Sequence, residues 1–201
     1  GAVLFECNLN GGNLFQANLQ GADIQRSQMH QANLEGANLE GANLESSSLF
    51  EANLQGANIV NANLYGVSLK KANLHKAMLN KARMQKVGLI GTNLSEASLS
   101  EVDLQEAYIV QVDFQGANLQ GANLKGVSIK ESVFQGANLQ DANLDGINSM
   151  EGSEMYENNF QGANLKNANL QGASLWKVNF HGANLEGVCL HKAKVKFANL
   201  R

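Results

Sequence analysis

The sequence predicts an all-β solenoid in which short extended segments coil and stack on one another. The first indication is a five-residue period, clearest in the segment GANLEGANLE at 36–45. Apolar residues occupy every fifth position from Leu4 to Leu144, and the same spacing resumes at Met150 and continues to Leu200. The second indication is a small residue, most often Ala, two positions before each apolar centre. The third is Gly, which lies two positions after a centre in all but three of its 20 occurrences.

Each position of this unit has a physical reason. Side chains alternate along an extended segment, so the small residue and the apolar centre share one face and point inward. The residue between them, usually Asn, points outward. Gly at the last position suits a corner that requires positive φ. Apolar residues at steps of five would drift around the surface of a helix, so the period excludes a helix.

The unit Ala-Asn-Leu-x-Gly resembles the repeat of the pentapeptide repeat proteins, usually written A-(D/N)-L-x-x, over essentially all of 1–201. The resemblance implies a right-handed quadrilateral parallel β-helix with four units per coil. The 40 units between Leu4 and Leu200 would then form a single domain of about ten coils. At about 4.8 Å per coil, the rod would be about 48 Å long. The absence of Pro agrees with a backbone whose N–H groups pair between coils.

One irregularity interrupts the period. The centres Leu144 and Met150 are six residues apart instead of five, which predicts a one-residue register slip at 145–149. The slip is either a tolerated corner insertion or a bulge that re-aims side chains near a functional surface. Asn148 and Asn158 would take inward positions here, and each would need hydrogen-bond partners.

Charged residues in the middle of the chain recur at steps of four units. In a four-unit coil, residues at this step lie above one another, so lysines and glutamates with this spacing should pair. The predicted inter-coil ion pairs are Glu51–Lys71, Lys76–Glu96, Lys81–Glu101 and Lys86–Glu106. Exposed pairs stabilise a fold little, but these would neutralise a basic run that otherwise indicates a polyanion site. The formal net charge of −3 also argues against nucleic acid as a partner.

Two groups of outward residues are candidate partner surfaces. Tyr156, Trp176 and Lys196 follow one another at steps of four units and should form one stripe, in which Lys196 could make a cation–π contact. Trp176 is the only Trp of the chain, and Trp and Tyr are enriched at binding hot spots. The second group shares one side of the coil and consists of Phe50, Ile90, Tyr108 and Val110. Either group could instead be ordinary exposed apolar surface.

The sequence argues against an enzyme. The four His residues share no stripe, and none of them has a Cys or paired carboxylates at metal-ligand spacing. Phosphate-binding, dinucleotide-binding and nucleophile motifs are absent. Inward serines (Ser27, Ser47 and Ser132) have no adjacent base, and a core packed with Leu leaves no substrate pocket. We therefore expect no catalytic residue, no metal and no cofactor.

Three functions remain open. The first is a protein-interaction or scaffolding repeat domain of a longer protein, because no polar cap is visible at either end; uncapped ends would also permit end-to-end or homodimeric association. The second, implied by the resemblance, is a DNA mimic that binds a type II topoisomerase, as in the quinolone-protection branch of the family. That branch typically has a strongly acidic surface and more Phe centres than this sequence. The third is a passive structural spacer.

Cysteine usage gives a weak indication of compartment. Cys7 and Cys189 would lie about nine coils apart, roughly 43 Å at the same rise per coil, so they cannot form a disulfide within one rod. Unpaired cysteines favour the cytoplasm or another reducing compartment. No apolar run approaches the length of a membrane-spanning helix, so we expect no membrane partner.

Overall fold

The fold is a stack of coils joined by parallel pairing. A computed structural model describes residues 1–147 and 158–200, and these residues contain no helix. Three short parallel strands lie in the order β1-β2-β3, with residue bounds Gly88–Ile90 for β1, Tyr108–Val110 for β2 and Ser128–Lys130 for β3. Elsewhere in this part of the chain, neighbouring coils pair through single-residue parallel bridges. Partners such as Asn33 and Asn53 hold the same position in units four steps apart, so four five-residue units make one coil.

Backbone hydrogen bonds explain why five residues form one side of the coil. The Leu34 N–H donates to the Asn53 carbonyl of the next coil (2.7 Å), and the Ala37 N–H donates to the Leu34 carbonyl across the corner (3.0 Å). The corner residue Gly36 has a φ of 64°, as its position in the repeat predicts. Residues with a Cβ adopt the same conformation at other corners, for example Lys76 at 58°. That conformation costs about 1–2 kcal/mol per residue, so the ladder between coils must offset the strain.

The core is a set of columns of inward side chains. Leu34, Leu54 and Leu74 lie above one another in successive coils, and each is at most 1% exposed. The same column continues as four buried aromatic rings with centroid separations of 4.7, 4.5 and 5.4 Å, contributed by Phe114, Phe134, Phe160 and Phe180. The inward Ala residues beside these centres are also buried. The alternation of small and large inward residues therefore fills the narrow interior.

The register changes once within the described residues. Val133 pairs with Asn159, whereas the predicted slip at 145–149 would place Glu154 beside it. Ile147 is buried and donates its N–H to the Leu144 carbonyl (3.3 Å), as the small residue of a regular unit does. The regular repeat therefore continues to Ile147, and this inward position does not belong to Asn148 as predicted. Asn148 itself lies outside the described residues.

The register change amounts to one complete unit plus one residue, instead of the single residue predicted. The surplus lies between Ile147 and Asn158. Sequence reasoning counted regular units centred on Met150 and Met155 because both residues are apolar and fit the five-residue spacing. The structure instead stacks the Phe134 ring directly on the Phe160 ring (4.5 Å between centroids, 2° between planes). Continuity of the core column, not the local spacing, decides which units lie above one another.

Outward Asn side chains connect the coils on three of the four sides. Asn53 Nδ2 donates to Asn33 Oδ1 (3.4 Å), and equivalent contacts join Asn58 to Asn38 and Asn63 to Asn43 on two further sides. Asn33 Oδ1 also accepts the N–H of the residue two positions later (3.2 Å), which is a local turn that Asn favours. The outward Asn of the repeat therefore stabilises both the corner and the stack.

The Phe column generates a stability prediction. Phe160→Ala is expected to lower the free energy of unfolding by about 3–5 kcal/mol, because it opens a cavity between the rings of the neighbouring coils. Phe160→Leu places the usual centre residue in the same column and should cost less than about 1.5 kcal/mol. Urea unfolding followed by far-UV circular dichroism measures both values. Equally small losses in the two variants would contradict a role for this stack in holding the coils together.

Candidate interaction face

One side of the coil differs from the other three, and we call it the strand face. It contains β1, β2 and β3, and its described outward positions from Gln28 onward carry Gln, Ser, Gly, Tyr or Lys where the other sides mostly have Asn. The corner residues Gly126, Gly146 and Gly172 succeed one another across the register change, because the Gly126 N–H bonds to Asp145 and the Gly146 N–H bonds to Gln171. From corner to corner, the described part of the strand face comprises residues 6–11, 26–31, 46–51, 66–71, 86–91, 106–111, 126–131, 172–177 and 192–197.

The strand face brings together most of the second predicted surface. Ile90 pairs with Val110 in the register of β1 and β2, and Tyr108 lies beside them with 39% of its surface exposed. Phe50 lies in the same column two coils away, beyond Lys70. Its ring contacts His30 edge-to-face, with 6.0 Å between the ring centroids. The predicted group is therefore a compact patch of three residues and one separate aromatic residue.

Trp176 and Lys196, the two described members of the first predicted surface, also lie on the strand face, with different contacts from those expected. Trp176 packs edge-to-face against Phe197 (6.0 Å between centroids), and Lys177 Nζ lies 4.4 Å from the centre of the Trp176 ring. Lys177 therefore takes the cation–π position predicted for Lys196, whose Nζ lies over the Phe197 ring at 5.4 Å. Tyr156, the third predicted member, lies outside the described residues.

Sequence reasoning missed Phe197 as a neighbour of Trp176. Phe197 lies one coil after Lys177, and both occupy positive-φ corners with φ of 56° and 53°. At such a corner the side chain turns away from the extended segment, so a ring can reach back to the residue before the corner in the previous coil. A comparison of residues exactly one coil apart in the sequence therefore misses this contact. A comparison of residues one coil plus one position apart would find it.

The structure brings together all four predicted ion pairs. The separation is 3.3 Å between Lys71 Nζ and Glu51 Oε1. The other three distances are 3.4 Å for Lys76–Glu96, 3.7 Å for Lys81–Glu101 and 3.8 Å for Lys86–Glu106. Further pairs at the same step of one coil, which sequence reasoning did not list, are Arg26–Glu6, Lys125–Asp145 and Lys166–Glu186. Lys71, Lys76, Lys81 and Lys86 therefore have glutamate partners and do not form an open polyanion site.

Hydrogen bonds shift the pKa of three surface groups. Gln31 Nε2 donates to Glu51 at 2.9 Å and Lys71 donates at 3.3 Å, and these bonds hold the pKa of Glu51 below its usual value. The Gln111 amide, followed by Lys130, lowers the pKa of Glu131 in the same way. The pKa of Lys86 is raised by its hydrogen bond to Tyr65 and then by the charges of Tyr65 and Glu106.

The inward serines have structural roles. The Ser47 hydroxyl donates to the Ile24 carbonyl (2.7 Å) and accepts the Ser27 N–H (3.1 Å), so it bridges a corner of the preceding coil. The Ser132 hydroxyl accepts the Val112 N–H (3.1 Å). The Ser132 N–H in turn donates to Asn158 Oδ1 (2.8 Å), which supplies the partner that the sequence requires for an inward Asn. Asn158 Nδ2 is buried and has no hydrogen-bond partner among residues 1–147 and 158–200.

Among residues 1–147 and 158–200, no group of three or more His, Cys, Asp or Glu side chains has an arrangement that could hold a metal ion. The same residues include no helix long and apolar enough to cross a membrane.

The lowered pKa of Glu51 predicts a pH dependence. A carboxyl group whose pKa is lower in the folded state contributes stability above its unfolded pKa, near 4.5, and loses that contribution as pH falls through the folded value. Glu51→Gln should therefore lower the urea midpoint at pH 7 and have progressively less effect toward pH 2. Gln31→Met, which removes the first donor, should weaken the same pH dependence. An effect of Glu51→Gln that is equal at pH 7 and pH 2 would contradict this assignment.

Comparison with known proteins agrees with this geometry. A family model for pentapeptide repeats matches in 8 copies, which together cover residues 1–85, 89–146 and 151–201. Comparison with curated proteins found no match. The chain is similar to HetL, a pentapeptide repeat protein involved in heterocyst differentiation regulation from the cyanobacterium Nostoc sp. strain PCC 7120. The two share 30% identity over 98% of this chain and 88% of HetL, with a TM-score of 0.53.

A second solved structure supports the fold alone. Full-length QnrB1, a plasmid-mediated fluoroquinolone resistance protein, is 15% identical over 96% of this chain and 92% of its own, with a TM-score of 0.51. The repeat pattern, the four-unit coils and the family model together show a right-handed quadrilateral β-helix. The chain therefore belongs to the pentapeptide repeat family.

Proposed function

We propose that this chain is a non-enzymatic protein-interaction module and that the strand face is its contact surface. The observation that carries the proposal is that this side lacks the Asn ladder and carries aromatic and branched residues at neighbouring outward positions. Tyr108, Ile90 and Val110 form one patch, and Trp176 with Phe197 forms another. On the other sides, the outward Asn side chains are hydrogen-bonded between coils, as in Asn58–Asn38. The strand face therefore presents the larger apolar side chains that a protein partner would contact.

The geometry suits binding for a second reason. Each strand of the face is fixed by inter-coil hydrogen bonds, so little conformational entropy is lost when a partner docks. Trp and Tyr are the residues that most often dominate binding energy when they are buried at a contact. Ser48, Ser68 and Gly88 keep the surface low between the coil of Phe50 and the coil of Tyr108, so a partner can approach the backbone closely there.

The comparison with HetL is consistent with this role. HetL is described as involved in the regulation of heterocyst differentiation, and a regulatory role of this kind is compatible with binding to another protein. The alternative of a topoisomerase-directed DNA mimic requires a strongly acidic surface, whereas glutamates at the corners of this chain are paired with lysines, as in Lys76–Glu96. A passive spacer does not require the outward patch that Tyr108, Ile90 and Val110 form.

Affinity capture from a lysate of the source cell tests the proposal. The baits are the intact chain, Trp176→Ala, Tyr108→Ala and the matched control Met78→Ala, which removes a side chain 42% exposed on another side of the coil. Loss of a hot spot should cost about 2 kcal/mol or more and reduce retention of the partner about thirtyfold. Met78→Ala should retain the partner as the intact chain does.

Three other outcomes would change the conclusion. Equal retention by all four baits would remove the strand face as the contact surface. Recovery of gyrase or topoisomerase IV subunits would favour the DNA-mimic alternative. Retention of no specific protein by any bait would favour the structural spacer.

A further inference from the structure

Opposite charges occupy neighbouring coils on the side that precedes the strand face along the chain. We call this side the arginine face, and its central segments are residues 61–66, 81–86, 101–106 and 121–126. The charged residues of segment 81–86 are all cations: Lys81, Arg83 and Lys86. Those of segment 101–106 are all anions: Glu101, Asp103 and Glu106. Each cation lies one coil before the anion at the same position, as the pairing of Arg83 with Asp103 shows.

The central cation of this pattern is open. Arg83 is exposed and, unlike the two lysines of its segment, has no carboxylate at ion-pair distance among residues 1–147 and 158–200. Its neighbour Asp103 is bonded to side-chain amides instead. Asp103 Oδ2 accepts Gln85 Nε2 at 2.6 Å, and Oδ1 accepts Asn123 Nδ2 at 3.3 Å. These bonds fix the carboxylate and leave the Arg83 guanidinium for a carboxylate of another molecule.

We propose that the arginine face is the interface of a homodimer in which two copies of this chain pack face to face with antiparallel rods. The two-fold axis runs parallel to the chain as it crosses the face, midway between segments 81–86 and 101–106. Each residue of segment 81–86 then lies opposite the residue 20 positions later in the second copy. Arg83 therefore faces Asp103 of the second copy, and the symmetry of the dimer repeats this contact.

The corner charges fit the same axis. Lys81 Nζ is 3.7 Å from Glu101 within the chain, and the axis brings Glu101 of the second copy to its other side. Lys86 and Glu106, 3.8 Å apart, form the same arrangement at the next corner. Each corner cation thus keeps its own carboxylate and gains a second one, in a square of alternating charge. Complementary charge of this kind fixes the register and orientation of two partners.

The flanking segments match with one exception. Tyr65 lies opposite Lys125 of the second copy, where an ammonium group can approach the ring. One coil farther from the axis, Glu45 lies opposite Asp145 of the second copy, and their charges repel. Within its own chain, Glu45 accepts Asn63 Nδ2 at 3.2 Å and Asp145 is 3.5 Å from Lys125. Both carboxylates therefore have donors of their own, which limits the repulsion.

Charge argues against the other ways of joining two copies through this region. A two-fold axis along the rod would make the copies parallel and place the corner lysines opposite each other, and the corner glutamates likewise. Like charges placed opposite each other oppose association. The preceding side of the coil also has paired lysines and glutamates at its corners, but its outward residues between the lysines are the uncharged Met78 and Asn80. That side lacks the central pair.

The dimer leaves the strand face open. The chain passes from the arginine face to the strand face at the corner of Lys86 and Glu106, so the strand face lies outside the contact. Because the axis runs parallel to the chain at the interface, the strand faces of both copies turn to the same side of the dimer. A partner with two binding segments could engage both and gain avidity. Dimer formation itself does not depend on the interaction function proposed above.

Sedimentation velocity of the full chain over a range of concentrations tests the proposal. The intact chain should dimerise, and its affinity should fall about tenfold between about 0.05 M and about 0.5 M NaCl because salt screens the pairs. Arg83→Asp and Asp103→Arg each place like charges opposite one another twice, so either variant alone should associate about thirtyfold more weakly or worse. An equimolar mixture of the two variants restores opposite charges at both contacts and should associate within about fivefold of the intact chain.

Matched controls separate this contact from general charge effects and from misfolding. Lys76→Glu and Glu96→Lys change the charge by the same amounts at a corner outside the arginine face, where the intact pair is 3.4 Å apart, and each should change the affinity by less than about threefold. Far-UV circular dichroism checks that every variant is folded. If Asp103→Arg disturbs the fold, Lys86→Glu and Glu106→Lys form a second couple that should also associate weakly alone and recover on mixing.

Three results would overturn the proposal. The first is an intact chain that stays monomeric at every concentration at low salt. The second is an equal loss of affinity in the Lys76→Glu control, which would show attraction by overall charge. The third is a failure of both mixtures of folded variants to recover, which would show that residues 83 and 103 do not face each other across a two-fold axis. None of these results bears on partner capture through Trp176 or Tyr108, so the two proposals fail separately.

Discussion

The hydrogen-bonded ladder between coils is the constraint on which the rest of the structure depends. Each coil must close in four units so that the Leu34 N–H meets the Asn53 carbonyl and every later unit meets its partner. Closure in turn requires positive φ at every corner, even at residues such as Lys76 that have a Cβ. The interior is then so narrow that only the alternation of a small and a large residue fits. The packing of the core, the positive φ at the corners and the pattern of outward residues all follow from a coil that closes in four units.

The same ladder distinguishes the three sides whose outward Asn side chains stabilise the stack from the strand face, where other residue types take the place of Asn. On three sides, the outward Asn side chains bond to one another and to the corner backbone, so their polar groups are already used, as in Asn33 and Asn53. On the strand face, Ser, Gly and Tyr replace Asn, and regular strands form in three consecutive coils, at Gly88–Ile90, Tyr108–Val110 and Ser128–Lys130. In these three coils, loss of the side-chain ladder coincides with longer backbone pairing. Aromatic, branched and cationic residues can be placed there without disturbing the stack.

Sequence reasoning succeeded wherever a contact depends on the period alone. The inward and outward positions follow from alternation, and a step of four units places Lys71 against Glu51 as the structure does. It failed where the contact depends on geometry at a corner or on a change of register. Trp176 meets Phe197, one position beyond its counterpart in the next coil, because the corner redirects the side chain. Val133 pairs with Asn159 because the Phe column continues through the stack, whereas local spacing shows only a single extra residue.

The five-residue repeat by itself determined the fold class, the buried residues and the vertical ion pairs, because each of these depends only on which positions lie above one another. It also made the outward residues of every side appear equivalent. Only the tertiary structure decided that Asn is used structurally on three sides and that both candidate surfaces belong to the fourth. The physical reason is that the sides of the coil exist only once its four corners close the backbone into a ring-like turn in three dimensions. A residue's neighbours across a corner depend on that closure and not on its place in the unit.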